Sequence, residues 1–301
     1  MMAPESKNIL KRMRSEAKKL FHASIERVNP YEAVRGFIDL DGEKLILGRK
    51  NKPEAEFDME QIHRVFLVGG GKATAPMARS IEELLGDRID EGIINVKYGF
   101  IEKLSFIEII EAGHPLPDQK GVEGTKKILS LLEKAGVQDL VFSLISGGGS
   151  ALLPRPADQI SLADKQAITR GLLECGASID EINTVRKHIS FSKGGQMARA
   201  AYPATTINLM LSDVVGDKMD VIASGPFVPD MSTFREARKI LEKYRIKDMP
   251  SSIREHMRKG VENLVLETPK EEEPIFDRVY NFIIGSNILA LEAARAEAEK
   301  M

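Results

Sequence analysis

The chain has 301 residues, 43 Lys and Arg against 45 Asp and Glu, a formal net charge of −2 and 43% hydrophobic residues, so it describes one large globular domain or two small ones with material for a real core. Near-neutral charge without a long run of one sign excludes the electrostatic footprint of a nucleic-acid binder or a polybasic membrane protein. One cysteine, Cys175, and no Cys/His cluster at zinc spacing exclude a disulfide-stapled domain and a zinc ribbon. The charged first 20 residues and the lack of a run of ~18 apolar residues exclude a secretory leader and a membrane span. A reducing cytoplasm is the expected location, and the high charge content without tryptophan points to a heat-adapted source.

Ile9, Met13, Ala17, Leu20 and Val28, with Ser24 in the same row, keep a three-or-four spacing that predicts an amphipathic helix over 6–27. Phe37-Ile38-Asp39-Leu40 and Lys44-Leu45-Ile46-Leu47 flank Asp41-Gly42, which predicts a hairpin with a tight turn. Residues 1–60 then read as a helix and hairpin packed on the edge of a larger domain, 61–301. There, short apolar runs ending in glycine or a polar residue alternate with helical stretches, the pattern of βα units. Six strands are predicted, at 65–68, 92–96, 106–110, 140–145, 206–211 and 280–284. Helices are predicted at 72–85, 121–135, 162–175 (opened by Ser161 with Asp164 in its first turn), 233–244 and 287–301. The fold class is therefore α/β, a doubly wound, mostly parallel six-stranded sandwich. Lys270-Glu271-Glu272-Glu273-Pro274 reads as a solvated loop, and the last helix reads as stopping without a C-cap, as if the chain were cut.

In open α/β sheets ligands sit beyond the carboxyl ends of the strands, so chemistry is sought in the loops that follow each strand. After the first sheet strand, Gly69-Gly70-Gly71-Lys72 opens a helix, where amides and a lysine suit a phosphate; the competing reading is a tight turn. It is neither a Walker A loop nor a complete dinucleotide fingerprint. The fourth strand runs into Ser146-Gly147-Gly148-Gly149-Ser150, a second anion-binding concavity flanked by hydroxyls, or else a flexible turn before Pro154-Arg155-Pro156. Asn183-Thr184-Val185-Arg186-Lys187-His188, Ser190 and Ser192-Lys193-Gly194-Gly195 gather cations and amides that either clamp an anion or form a solvated basic face. Ser212-Asp213 and Asp217 supply hard oxygen ligands for magnesium, or helix caps. Glu111-Ala112-Gly113-His114-Pro115-Leu116-Pro117-Asp118 places one histidine on a stiff loop, as a substrate contact or as a structural residue. Asn287 and Ser224-Gly225-Pro226 complete the rim. Anion nests, cations and a possible metal pair together point to phosphoryl transfer.

Val68-Gly69-Gly70-Gly71-Lys72-Ala73, Glu111 to Asp118, Leu144-Ile145-Ser146-Gly147-Gly148-Gly149-Ser150-Ala151-Leu152-Leu153 and Leu211-Ser212-Asp213-Val214-Val215-Gly216-Asp217 resemble class II glycerate 2-kinases over essentially the whole chain. Asn183 with Val185-Arg186-Lys187-His188, Lys193-Gly194-Gly195 and Ala223-Ser224-Gly225-Pro226 match in the same order. The resemblance implies an ATP- and magnesium-dependent kinase that converts D-glycerate to 2-phosphoglycerate, on a large Rossmann-like domain followed by a smaller one, with the cleft between them.

Lys72 matches the family's suspected catalytic lysine; a further catalytic arginine belongs to the second domain, which this chain lacks. The isolated chain is therefore expected to be weakly active or inactive, with apolar surface that favours association into a homodimer. On this reading Lys72 stabilises charge on the transferring phosphoryl group, and the amides of Gly69, Gly70, Gly71, Gly147, Gly148 and Gly149 meet phosphate oxygens. Ser146, Ser150, Lys193, Gly194 and Asn287 join the nucleotide contacts, Asp213 and Asp217 hold magnesium, and Arg186, His114 and Asn183 meet the glycerate. Sequence leaves open which loop takes nucleotide and which the acid. The rival is an NAD(P)H-dependent hydroxypyruvate reductase, a label often attached to this family, although Val96 is followed by Lys97-Tyr98 rather than by a ribose-binding acid. A non-catalytic phosphate-binding fragment is the third possibility.

Overall fold

A computed structural model describes residues 4–49, 52–246 and 249–301. The chain opens with helices α1 (Pro4–Arg27) and α2 (Pro30–Arg35), then strands β1 (Ile38–Asp41), β2 (Lys44–Arg49) and β3 (Lys52–Asp58) as an antiparallel sheet. Asp41 pairs with Lys44, so the hairpin turn is Gly42-Glu43, one residue later than Asp41-Gly42, with Gly42 at φ +61°. The third strand is an addition to the predicted hairpin.

The main sheet comprises β4 (Val65–Gly70), β5 (Ile89–Lys97), β6 (Ile107–Ala112), β7 (Leu140–Ile145), β8 (Thr205–Leu211) and β9 (Val279–Gly285). All neighbouring pairs are parallel, in the order β6-β5-β4-β7-β8-β9. This is the doubly wound order, which reverses direction between β4 and β7. Every residue of β4 and β7 is buried, as expected of central parallel strands covered on both faces.

One face packs α3 (Thr74–Leu85) and α2 through Val34, Ala78, Ile81 and Leu144. The other packs α4 (Gln119–Leu132) and α8 (Gln196–Ala201) through Phe66, Ile128, Leu131 and Met197. Each fully buried Leu, Ile or Phe of this kind contributes roughly 1.5–3 kcal/mol of transfer free energy. The last helix, α11 (Asn287–Ala298), packs on α1. It ends at Ala298, short of the expected 301, with the Glu299 amide donating to the Arg295 and Glu297 carbonyls.

A third apolar cluster, not foreseen in the sequence, joins α6 (Leu162–Glu174), α7 (Ile179–His188), α9 (Phe234–Tyr244) and α10 (Ser251–Val261) through Ile168, Val185, Leu241 and Met257. A capping box opens α6: Asp164 donates its amide to Ser161 Oγ and accepts the Ser161 amide. The segment 270–274 is largely the expected solvated loop, with Glu271, Glu272 and Pro274 exposed, but two of its side chains anchor it. The Lys270 ammonium donates to the Asp230 carbonyl at 2.9 Å, and Glu273 pairs with Arg199 at 3.1 Å.

Glu181 ties α7 to α9. It accepts from Lys243 and from the Tyr244 hydroxyl, each at 2.7 Å, and from the Ser178 amide at 2.9 Å. The Lys243 hydrogen bond leads in lowering its pKa from 4.5 to about 2. A lowered folded-state pKa gives stability that is complete above the unfolded value and disappears as pH falls through the folded one. The helical cluster should therefore lose stability between pH 4.5 and about 2, and Glu181→Gln should flatten that part of the profile in thermal melts. An unaltered profile would refute the assignment.

Candidate active site

The loops after β4 and β7 lie side by side where the strand order reverses, and they use their glycines differently. Gly69 and Gly70 remain inside β4: a Cβ at Gly69 would sit 2.4 Å from the Leu144 carbonyl, and one at Gly70 2.5 Å from the Leu153 side chain. The Gly71 amide donates to the Asn95 carbonyl at 3.2 Å, Lys72 to the Gly147 carbonyl at 2.9 Å and Ala73 to Ser146 Oγ at 3.0 Å. The expected phosphate nest at Gly69, Gly70 and Gly71 is thus replaced by close packing and a tight turn. What this loop delivers is the Lys72 side chain.

The second loop keeps its amides available. Among the described residues the Gly147 and Gly148 N–H groups have no acceptor, whereas Gly149 donates to the Ser146 carbonyl at 3.1 Å. Gly148 has φ +90°, and a Cβ there would lie 2.9 Å from the His114 ring and 3.3 Å from Lys72 Cγ. A Cβ at Gly147 would lie 2.4 Å from Asp213 Oδ2. Three side chains from three other loops therefore press on bare backbone. Gly148→Ala should lower stability by about 1–2 kcal/mol through left-handed strain and displace His114. A urea midpoint equal to the wild type would count against this.

Behind this loop, Ser150 Oγ lies 2.7 Å from Ser224 Oγ, which donates to Asn183 Oδ1 at 3.1 Å. Ala223, Ser224 and Gly225 all have positive φ (51°, 63° and 62°). The turn is held by the Gly194 amide donating to Ser224 at 2.9 Å and the Gly195 amide donating to Gly225 at 2.8 Å. Asn183 is buried and lines neither cavity described below, and Gly194 likewise, so the structure places both as supports of this turn rather than at a ligand surface.

Two cavities meet at the Gly147-Gly148 peptide. The smaller, about 250 Å³, is lined by Lys72, Ser146, Gly147, Ser212, Asp213 and Asn287, with Val28 and Pro30 closing one side. The larger, about 400 Å³, is lined by His114, Gly148, Ser150, Lys165, Arg186 and Lys193, with Leu116, Pro117, Pro154 and Leu173 supplying apolar wall. Lys165, Gln166, Thr169, Arg170 and Leu173 all reach it from α6, at the spacing of one helix face. Sequence reading missed Lys165, Val28 and Pro30. Nothing in a helical pattern marks which lysine will be buried, and the chain start contributes through tertiary packing alone.

Of the basic cluster, Arg186 and Lys193 line the larger cavity and Lys187 and His188 do not. Lys187 is buried between Asp220 and Asp230, and His188 lies 2.8 Å from both the Thr184 carbonyl and Glu267. Neither an anion clamp of all four nor a solvated face is therefore observed.

In the larger cavity, burial and then the charges of Arg186 and Arg155 push Lys165 down to about 7. Burial, reinforced by Lys165 and Arg186, pushes Lys193 well below the usual lysine range, and burial lowers Arg186. His114 is lowered by burial and by Lys72 and Lys97, against an opposing pull from Asp213, so its ring is neutral at pH 7.

Among the described residues no group of three or more His, Cys, Asp or Glu could hold a metal. Magnesium held by one or two carboxylates and completed by phosphate oxygens is the arrangement these residues fit. Asp213 presents an exposed carboxylate against Gly147 in the smaller cavity, whereas Asp217 sits in a turn at φ +51° and lines neither cavity.

A family model described as a domain of unknown function, DUF4147, matches residues 16–258. The chain belongs to this family. A glycerate 2-kinase of Pyrococcus horikoshii is 44% identical over 284 residues, covering 94% of this chain and 62% of that protein. A crystal structure of glycerate kinase from Thermotoga maritima superposes with a TM-score of 0.80 at 37% identity, covering 96% of this chain and 63% of that one. A putative hydroxypyruvate reductase of Agrobacterium vitis is 43% identical over 235 residues, covering 78% of this chain and 52% of that protein. The chain therefore spans less than two thirds of the length of these family members. Their shared α/β architecture agrees with the six-stranded sheet described above.

Proposed function

We propose that this chain carries the nucleotide- and acid-binding surfaces of a D-glycerate 2-kinase, transferring the γ-phosphoryl group of ATP to the 2-hydroxyl with magnesium. The observation that carries the reading is the meeting of two cavities at Gly147-Gly148, with Lys72, His114 and Asp213 packed against that one stretch of backbone. The names of the similar kinases supply the substrate class.

Phosphoryl transfer needs positioning and charge stabilisation more than a covalent nucleophile. Lys72 places a cation at the junction, and the free Gly147 and Gly148 amides are donors for phosphoryl oxygens. Neutral His114 can accept a hydrogen bond from the attacking hydroxyl. The hydroxyl oxygen would form the new P–O bond to the γ-phosphorus as the bond from that phosphorus to ADP breaks, and the hydroxyl proton would pass to His114. Asp213 would hold magnesium, whose charge offsets that of the phosphates.

The reductase reading is less well supported. The amides of Gly71, Lys72 and Ala73 are engaged within the protein, and Asn95 near the end of β5 is buried among Gly121, Thr125 and Leu152. No helix among the described residues is long and apolar enough to cross a membrane; a cytoplasmic location belongs to the same proposal. So does a homodimer through the exposed Ile9, Met13 and Phe21 of α1, which sedimentation would read.

The deciding assay, on the chain extended to the length of the similar kinases, supplies D-glycerate, ATP and magnesium beside hydroxypyruvate with NADH or NADPH, and reads product position by phosphorus NMR. 2-Phosphoglycerate is the expected product. Coenzyme oxidation without phosphoryl transfer would overturn the proposal, and nucleotide binding without turnover of either substrate would favour a binding module.

A further inference from the structure

We infer that Lys165, acting with Arg186 and Lys193, forms a closed subsite for the carboxylate of the hydroxy acid, and that the metal-bound nucleotide occupies the smaller groove; the inference rests on the kinase reading above.

The three cations come from different parts of the helical cluster and its exit, α6, α7 and the segment after α7, yet all line the one larger cavity. Among the described residues none of them pairs with a carboxylate. The Lys165 ammonium donates to Ser190 Oγ, which in turn donates to the Arg186 carbonyl at 2.6 Å. The Lys193 ammonium donates to the Ser150 carbonyl at 2.9 Å and reaches the Ala223 carbonyl at 3.5 Å. Buried cations without acidic partners are costly unless an anion completes them.

Charge also sorts the two ligands. The smaller groove contains Asp213 and no buried cation, which suits phosphates that carry a divalent metal; the larger cavity contains cations and no carboxylate, which repels a metal and attracts a bare anion. Its apolar side, Leu116, Pro117, Pro154 and Leu173, keeps water from weakening that attraction. An acid held at Lys165 and Arg186 shares its cavity with His114 and Gly148, at the wall beyond which Lys72 and the nucleotide phosphates lie.

The assignment has a protonic signature. The charged or titratable groups around Lys165 are Arg186, Lys193, Arg155, Arg170 and His114, cationic or neutral throughout, so no anionic side chain lining the cavity favours its ammonium form. With its pKa at about 7, most of Lys165 is neutral at pH 8. An arriving carboxylate reverses this and draws a proton in.

Calorimetric titration of the chain with D-glycerate at pH 8, in two buffers of different ionisation enthalpy, should show uptake of about one proton per acid bound. Lys165→Met should weaken the acid at least about tenfold and abolish the uptake, whereas Lys165→Arg, always charged, should retain affinity within a few-fold and also lose the uptake. ATP with magnesium should titrate equally into all three proteins. If Lys165→Met weakens the nucleotide instead of the acid, the assignment of the two cavities is overturned. If D-glycerate fails to bind but sulfate binds with Lys165-dependent uptake, the anion subsite stands and the glycerate reading falls. If neither ligand shows uptake, the subsite falls.

Discussion

In the chain extended to the length of the similar kinases, replacing Lys72 by alanine should lower kcat for phosphoryl transfer by about 100-fold or more while leaving KM for the acid nearly unchanged. The lysine stands on the smaller cavity's side of the wall, with its Cγ close to Gly148, and its backbone amide is fixed by the Gly147 carbonyl at 2.9 Å. On the proposed function, it would meet charge developing on the transferring group rather than the carboxylate of the acid. An interaction made chiefly in the transition state lowers kcat and kcat/KM together, and steady-state kinetics on the D-glycerate reaction separates this from loss of binding. A variant with raised KM and unchanged kcat would make Lys72 a binding residue, and one with no change would remove it from the site.

The largest effect on stability should come from Asp230→Ala, at about 3–5 kcal/mol, because it strands a buried cation. Asp230 is 1% exposed and accepts from Lys187 at 3.3 Å, from the Ser232 amide and hydroxyl at 3.0 and 2.7 Å, and from the Thr268 hydroxyl at 3.0 Å. Burial alone would raise its pKa, but Lys187, His188 and the Ser232 hydrogen bonds together outweigh burial and hold it below the usual carboxylate range. Without it, Lys187 retains only the half-exposed Asp220 among these carboxylates. Urea unfolding of the variant, beside the double variant Lys187→Met/Asp230→Ala, would test the mechanism. The double variant should recover part of the loss, since no charge is then left unpaired. A single-variant loss below about 1 kcal/mol would refute it.

The sheet was legible because its strands are covered on both faces. A strand such as 140–145, buried throughout and bounded by polar residues and glycine, writes its limits as an uninterrupted apolar run. The helical cluster was less legible for two reasons. Ser178 and Glu181 carry a capping-box signal for α7, but a helix of 10 residues with three basic residues in its last turn shows little apolar period. The burial of Lys165, Lys187 and His188 depends on partners far along the chain, Ser190, Asp230 and Glu267, that no local pattern supplies. The glycine loops divide in the same way. Composition marks both as special, yet only the tertiary contacts of Leu144, Leu153 and Ser146 with Gly69, Gly70 and Gly71 distinguish packing glycines from the free amides of Gly147 and Gly148.

That a single peptide forms the partition between the two cavities constrains how such a protein could change its diet. A side chain added at residue 147 or 148 would strike Asp213 or His114, so the partition cannot be remodelled for one ligand without disturbing the other. On the subsite inferred above, freedom to accept a longer or bulkier acid lies instead on the far wall, at Leu116, Thr169 and Leu173. Variation in substrate range among related chains should therefore concentrate on that loop and on one face of α6, while the partition stays unchanged.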